Sequence, residues 1–298
     1  MAASGDRFGL SCALTTPFLV DGGVDAPRVV AHAQSLLGRG CASVTLCGTT
    51  GEGASLGEKS RERILAALRS GGVDLARRVI VGLAASSVEE VAAQATQAAS
   101  FGCRTVLLPP PFYFKDVSDD GLLGWFGKVL ERLASEDLRA ILYHIPPITA
   151  VPLSLALVGR LRERFPETII GVKDSSGDRN YAHALLAAHR ELTILIGDER
   201  LLAEAVRMGA SGAISGLANI VPELLLPLAN EGKGDQRVTA LVDELLKYPV
   251  TSAVKELVAH RTGDPAWRRV APPLEPLTQN EARRLIAACD AILPAPGI

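Results

Sequence analysis

The amino-acid sequence predicts an α/β fold, a (β/α)8 TIM barrel with a C-terminal helical extension. Two observations predict this fold. Eight short apolar, β-branched segments alternate with helical patterns rich in Ala, Leu and Arg, and from about residue 221 the helical patterns continue without further strand segments. Strands that are joined by whole helices lie parallel in a sheet, and eight such units are the number that closes a barrel.

The predicted strands all end in Gly, Pro or polar residues, and the helices fill the gaps between them. The strands are residues 9–14, 43–47, 79–83, 105–108, 139–143, 169–173, 193–196 and 212–215. The helices of the barrel are residues 28–37, 59–70, 88–100, 119–134, 154–164, 180–189 and 199–208. Further helices at 236–246, 250–260 and 279–292 form the extension. We therefore predict a barrel over 1–220 and a helical extension over 221–298 that packs on it.

Composition and charge predict a small-molecule partner. The chain has 298 residues, of which 48% are hydrophobic and 21% charged, so it can bury one large core. Its formal net charge of −2 comes from interspersed charges, without the basic stripe that nucleic acid or an acidic membrane surface requires. Neither nucleic acid nor a membrane is therefore an expected partner.

The cysteines and the N-terminal segment predict a cytoplasmic protein. The five cysteines are scattered, without the close pairing of zinc sites, and an odd number is no disulfide framework. Residues 1–8 lack a basic segment followed by an apolar run, and no later stretch approaches about 18 uninterrupted apolar residues.

Lys173 is the candidate nucleophile. It ends the apolar segment 169–173, and in barrels of this kind the chemistry takes place at the carboxyl ends of the strands. Burial in the barrel mouth would favour the neutral amine, which is the form that attacks a ketone. The alternative is a lysine that turns to solvent or pairs with Asp174. The strand-end position alone leaves both open.

Gly48, Thr49 and Thr50 begin a glycine-rich turn, residues 48–53, after the second strand. Its backbone N–H groups and two hydroxyls are suited to holding a carboxylate. The alternative is an ordinary loop in which Thr50 caps a turn. The spacing further along does not fit a phosphate-binding loop, because Glu58 separates Gly57 from the Lys and Ser that follow.

Tyr143 ends the fifth strand and could lie near Lys173, where a phenol can move protons. The alternative is a half-buried aromatic residue whose hydroxyl binds the backbone. His144 points to the other face of the strand and is expected to be structural. Since no His, Asp and Glu residues have metal-ligand spacing, the sequence predicts no metal site. A lysine that forms a Schiff base would need no organic cofactor either, so none is expected.

Three motifs together resemble the dihydrodipicolinate synthase/N-acetylneuraminate lyase family. They are residues 48–52, Tyr143 with Pro146, and residues 171–174, in this order on strands two, five and six. The resemblance extends over about residues 9–277. It implies a Schiff-base lyase, an aldolase or a dehydratase, that acts on pyruvate or a 2-keto-3-deoxy sugar acid. It also implies a homotetramer, arranged as a dimer of tight dimers.

The resemblance assigns roles to individual residues. It implies that the catalytic residues are Lys173, Tyr143, Thr49 and Tyr113, of which Lys173 forms the Schiff base, Tyr143 is the general acid and base, and Tyr113 is lent across a dimer interface. It implies that the substrate-binding residues are Gly48, Thr49, Thr50, Ser175, Asp198, Glu199, Ile214 and Ser215.

Two places bear on which subtype of the family this chain resembles. The synthases of lysine biosynthesis have an arginine that grips the aldehyde's carboxylate where this chain has Ile148, and an apolar side chain cannot form that ion pair. Asp198 and Glu199 resemble the pair that holds a polyol chain in sialic-acid lyases. Their alternative is a helix start, where the dipole favours acidic residues.

Three other functions stay open as alternatives. One is 4-hydroxy-tetrahydrodipicolinate (dihydrodipicolinate) synthase activity, which condenses pyruvate with aspartate semialdehyde. Another is a metal-dependent aldolase, for which the strand ends offer no set of ligands. The last is a non-catalytic protein that binds a keto acid; the presence of Lys173, Tyr143 and the threonine turn argues against it.

Overall fold

The structure, a computed structural model, describes residues 7–293. Residues 1–6 and 294–298 lie outside the described residues, and they include most of the N-terminal segment considered above and the end of the predicted extension. Eight parallel strands form a closed barrel in chain order, and the last strand pairs with the first. They are β1 (Gly9–Ala13), β2 (Ser43–Leu46), β3 (Val79–Gly82), β4 (Thr105–Leu108), β5 (Arg139–His144), β6 (Ile169–Asp174), β7 (Thr193–Ile196) and β8 (Gly212–Ser215).

Helices surround the barrel and continue beyond it. They are α1 (Ala26–Gly38), α2 (Glu58–Ser70), α3 (Leu75–Arg78), α4 (Val88–Ser100), α5 (Asp119–Ser135), α6 (Pro146–Thr149), α7 (Leu155–Arg164), α8 (Arg179–Ala188), α9 (Glu199–Arg207), α10 (Pro222–Glu231), α11 (Gln236–Leu245), α12 (Val250–Thr262) and α13 (Gln279–Ile292). Serines at 87, 118 and 154 begin α4, α5 and α7, because each hydroxyl accepts a first-turn backbone N–H.

The predicted fold class is confirmed. Each predicted strand is present with ends within one residue, and each predicted helix with ends within two. The sequence analysis named neither the short α3 and α6 nor α10. Helix α10 contacts β1 and α9 and so occupies the place of the eighth barrel helix. The division of the chain after residue 220 stays a prediction.

Apolar side chains fill the inside of the barrel, because every second residue of a strand points inward. This interior cluster consists of Ala13, Ile80, Leu107, Ile141, Tyr143, Ile145, Leu195 and Ile214. A larger cluster lies between the strands and the surrounding helices. Since the interior is packed, a substrate can reach the strands only at an end of the barrel, and the residues that follow the strands form its carboxyl end.

Candidate active site

Lys173 and Tyr143 are directly opposite each other on adjacent strands, because β5 and β6 pair in parallel with these two residues in register. Nζ of Lys173 donates a hydrogen bond to the Tyr143 phenol at 3.2 Å and lies 4.3 Å from the centroid of the phenol ring. Lys173 is only 5% exposed. It does not turn to solvent, and the Asp174 carboxylate accepts the backbone N–H of Ser176 instead. The structure therefore does not contain the alternatives considered above, a Lys173 that faces solvent or pairs with Asp174 and a Tyr143 whose hydroxyl binds the backbone.

The turn 48–53 places Thr49 beside the same phenol. The Thr49 hydroxyl lies 3.5 Å from the Tyr143 oxygen. Thr50 lies further along the rim, where its hydroxyl is 3.1 Å from the position that a Cβ on Gly216, just after β8, would take. A phenol, an amine and a hydroxyl thus meet at the carboxyl end of the barrel, and the second threonine is close by.

The glycines of this turn are required by close backbone contacts. A Cβ on Gly53 would lie 1.8 Å from the carbonyl oxygen of Cys47, and one on Gly51 would lie 2.7 Å from the carbonyl oxygen of Leu14. Glu52, between them, has a positive φ of 57°. The turn therefore has one tightly defined path, which fixes where its N–H groups and hydroxyls point.

Gly197, which the sequence analysis did not single out, packs directly on the lysine. A Cβ at this position, just after β7, would lie 3.0 Å from Cε of Lys173 and 1.9 Å from the hydroxyl of Ser175. Ser175 is thus next to the lysine side chain. The signal that could have identified Gly197 is a glycine at the carboxyl end of a barrel strand, where only a hydrogen atom fits.

Asp198 and Glu199 both have partners within the protein. Asp198 caps the start of α9 by accepting the N–H of Arg200, and it also pairs with the Arg200 guanidinium. Glu199 accepts a hydrogen bond from the Ser215 hydroxyl, and burial raises the pKa of Glu199 while that bond opposes the shift. These contacts favour the helix-start alternative. A polyol contact stays a prediction.

Ile214 and Ser215 occupy opposite faces of β8. Ile214 belongs to the interior cluster together with Tyr143, so its side chain points into the barrel. The Ser215 hydroxyl accepts the N–H of Ala218 and donates to Glu199, which braces the turn after β8. Of these two candidates, Ile214 is the one that contributes to the inner surface.

Tyr113 is 75% exposed, and its ring is edge-on to that of Phe114 at 5.2 Å. Ile148, in α6, is 64% exposed. Lys115 connects these two parts of the rim by donating to the carbonyl of Thr149 at 3.0 Å. The structure therefore places Tyr113 at the surface of the single chain, on the loop after β4.

His144 has the structural role expected of it. Its Nδ1 accepts the backbone N–H of Leu153 at 3.0 Å, and its ring stacks on Tyr181 at 4.0 Å. Burial lowers the pKa of His144 to about 4, so the ring is neutral at pH 7.

Asn219 is another residue that the sequence analysis did not identify. It connects the segments that follow β1 and β8, the first and last strands of the barrel. Its side-chain oxygen accepts the N–H of Thr15 and binds the ring of His32, while its amide donates to the carbonyls of Ala13 and Gly216. No local pattern marks an asparagine for this role, because its partners on β1 are about two hundred residues away.

Among residues 7–293, no three His, Cys, Asp or Glu side chains are arranged to hold a metal ion. Within the same range, none of the helices combines the length and the apolar character needed to cross a bilayer.

The fold and this group of side chains define a barrel lyase that acts on a carbonyl compound. The chain belongs to the dihydrodipicolinate synthetase family, whose model matches residues 7–292. The resemblance seen in the sequence is thereby confirmed.

Three similar proteins show the range of names within the family. An "Uncharacterized DapA-like lyase" of Chloroflexus aurantiacus is 32% identical, over 96% of this chain and 97% of its own. The "Putative 2-dehydro-3-deoxy-D-gluconate aldolase YagE" of Escherichia coli is 27% identical, over 93% and 94%. Dihydrodipicolinate synthase from Agrobacterium tumefaciens, known from a crystal structure, has 48% sequence identity to this chain. The two structures match with a TM-score of 0.93 over 96% of this chain and 100% of that one.

Proposed function

We propose that Lys173 forms a Schiff base with the keto carbon of pyruvate or of a 2-keto-3-deoxy sugar acid, in an aldolase or dehydratase reaction. The observation that carries this proposal is the buried Lys173 amine, 3.2 Å from the Tyr143 phenol at the carboxyl end of the barrel. An amine that attacks a ketone needs a neighbouring group to handle the proton of the leaving oxygen. The phenol is within hydrogen-bonding distance for that transfer.

The turn 48–53 is the proposed holder of the substrate carboxylate. Gly48, Thr49 and Thr50 offer backbone N–H groups and hydroxyls, which bind carboxylate oxygens. Thr49 is on the same side as the phenol, 3.5 Å from its oxygen. A 2-keto acid held by its carboxylate at this turn presents its adjacent keto carbon towards Lys173, because carboxylate and keto carbons are directly bonded.

The first half of the reaction forms the iminium. The Lys173 nitrogen bonds to the keto carbon, and one proton from that nitrogen and the proton of Tyr143 move to the keto oxygen. The oxygen leaves as water, and Tyr143 remains as a phenolate. The Tyr143 oxygen can then accept the proton of the substrate hydroxyl as the carbon–carbon bond breaks, and the electron pair of that bond moves into the iminium. An aldehyde leaves and an enamine remains, which takes up a proton and is hydrolysed to pyruvate and the free amine. In a dehydratase the same iminium would assist the loss of a hydroxyl as water.

The distal end of the site favours a substrate without a carboxylate at that position. Ile148 cannot pair with an anion, and Ser175 beside the lysine offers a hydroxyl to a polyol. Asp198 already binds Arg200 and Glu199 already binds Ser215, which leaves each carboxylate less free to bind a polyol. The name of the Escherichia coli relative supports a sugar-acid substrate. The name of the Agrobacterium protein supports the alternative, condensation of pyruvate with aspartate semialdehyde.

The test is intact-protein mass after incubation with pyruvate and cyanoborohydride, which reduces an iminium to a stable amine. We expect one adduct on the native chain, located by peptide mapping at Lys173, and none on Lys173→Ala. The matched control is Lys128→Ala, which removes a lysine from α5 and should leave the adduct unchanged. If the folded native protein forms no adduct, pyruvate is not the bound keto acid, and the result favours the alternative of a non-catalytic protein that binds another keto acid.

We also infer a homotetramer in the cytoplasm that needs no metal or organic cofactor. Support for subunit contacts comes from the exposed neighbouring rings of Tyr113 and Phe114, which a partner chain would cover. All five cysteines are free and buried, which suits a reducing compartment. The iminium is itself the electron sink, so a chelator should leave the reaction unchanged. Light scattering tests the homotetramer, and localisation of the tagged protein tests the cytoplasmic compartment.

A further inference from the structure

The carboxylate of Glu52, two residues after Thr50 in the threonine turn, is held entirely by the C-terminal part of the chain. One oxygen accepts a hydrogen bond from the ammonium of Lys255 on α12, and the other accepts the backbone N–H of Ala271 at 2.6 Å. The side chains of Glu52 and Lys255 have no exposed surface. A segment more than two hundred residues away thus determines where this part of the turn lies.

A buried ion pair of this kind is poorly explained by stability alone. Removing two charges from water costs several kcal/mol each, and apolar pairs of similar volume are often as stable or more so. Burial raises the pKa of Glu52 and lowers that of Lys255 to about 8, and their mutual attraction opposes both shifts. The pair instead fixes the position of the Glu52 side chain, because its charge-assisted hydrogen bonds hold both partners in one geometry.

The backbone of the turn requires such an anchor. Glu52 has a φ of 57°, in the left-handed region that a residue with a side chain occupies only when its surroundings impose it. On either side the backbone is held as well. The Gly51 carbonyl accepts the Thr16 hydroxyl at 2.7 Å, and the Gly53 carbonyl accepts the guanidinium of Arg61 at 2.9 Å. Of these contacts, those of Glu52 come from the C-terminal part of the chain.

The same pair also reaches the loop that follows the first strand of the barrel. The Lys255 ammonium lies 4.4 Å from the centroid of the Phe18 ring, which follows β1. An ammonium over an aromatic face is attracted to it, more strongly when both are removed from water. The lysine therefore joins α12, the loop after β1 and the threonine turn.

We infer that Lys255 is a positioning residue for keto-acid binding, which acts through Glu52 to hold the turn 48–53 in the geometry that receives the substrate carboxylate. This inference rests on the proposed function. The carboxylate is bound alike in the ground state and in the transition state, so a displaced turn weakens both equally. Loss of the pair should therefore raise KM and leave kcat nearly unchanged.

The experiment measures the rate of adduct formation with cyanoborohydride as a function of pyruvate concentration. In Lys255→Met and in Glu52→Gln we expect the half-saturating concentration to rise about tenfold, the effect of weakening one hydrogen bond to a charged group. The maximal rate should stay within about twofold. Glu256→Gln is the matched control, because this neighbouring carboxylate on α12 is buried but binds Arg268 and not a residue of the turn.

The outcomes separate the two proposals. No adduct on the native protein would overturn the proposed function and this inference with it. An adduct on the native protein with unchanged half-saturation in both variants would overturn this inference alone, as would an equal rise in Glu256→Gln. If Lys255→Met does not fold, as judged by circular dichroism, Glu52→Gln decides, since glutamine keeps an oxygen to accept the N–H of Ala271.

Discussion

Tyr143→Phe removes one oxygen atom from the site and changes little else. The ring belongs to the interior cluster of the barrel and is 5% exposed, so phenylalanine keeps the same packing. The lost contacts are the 3.2 Å hydrogen bond from Lys173 and the 3.5 Å contact with Thr49. A hydrogen bond contributes about 0.5–1.5 kcal/mol to stability, or somewhat more with a charged donor, so the variant should fold.

The expected effect on the chemistry is much larger. If the phenol moves the protons, its removal should slow the proton-transfer steps by about 10²–10⁴-fold. The assay is the exchange of the methyl protons of pyruvate with deuterated water, followed by proton NMR. Exchange requires iminium and enamine to interconvert, so it reports on this chemistry without knowledge of the aldehyde. Lys173→Ala should abolish exchange.

The control for this measurement is Tyr181→Phe. That phenol also donates a hydrogen bond, to the carbonyl of Leu153 at 2.8 Å, but it stacks on His144 behind the strand. Exchange should therefore continue at the native rate in this variant. If Tyr143→Phe still forms the pyruvate adduct and exchanges protons at the native rate, the 3.2 Å contact is structural and another group carries the protons.

Three further predictions concern neighbouring features. Gly197→Ala puts a Cβ within 1.9 Å of the Ser175 hydroxyl and should slow adduct formation about a hundredfold by displacing the lysine, whereas Gly124→Ala, with nothing within 4 Å, should not; native rates in the first would refute the close fit. The pKa of His144 falls from 6.5 to about 4 on folding, so its contribution to stability is present above pH 6.5 and lost as the pH falls towards 4. Between pH 6.5 and 4, the free energy of unfolding, measured by denaturant titration, should then fall less steeply with pH in His144→Asn than in the native protein. The same pH dependence in both proteins would contradict the lowered pKa. Ile148→Arg, at an exposed position, should raise pyruvate consumption with aspartate semialdehyde at least about tenfold and leave the pyruvate adduct unchanged; no gain would show that the arginine alone does not confer the synthase reaction.

The strands were predictable because barrel strands are short, apolar and separated by helices, so that local pattern and tertiary role agree. Helix α10 was harder to recognise. It has a proline at its start and another, Pro227, inside it, and an interior proline removes a hydrogen bond and argues against a helix. Its packing on α9 and β1 outweighs that local preference, which no single-segment pattern reports.

The meeting of Lys173 with Tyr143 was predictable for a topological reason. Successive strands of the barrel are neighbours, so residues at the ends of β5 and β6 must come together, and the register places them opposite each other. The pairing of Glu52 with Lys255 has no such rule behind it. Glu52 could be recognised as part of a motif, but its partner stands in a helix whose position on the barrel depends on packing alone.

The two ends of the site differ in how they are built, and this difference bears on specificity. At the keto-acid end, Lys173 and the anchor at Glu52 are buried and hydrogen-bonded, so a substitution there disturbs neighbours that cannot relax. At the proposed distal end, Ile148 is exposed, so replacing its side chain disturbs little of the packing. A family that keeps the first end and varies the second can retain one covalent chemistry while changing the aldehyde. Substitutions at Ile148 should therefore change the substrate at no measurable loss of stability, while substitutions at Glu52 should weaken keto-acid binding and lower stability.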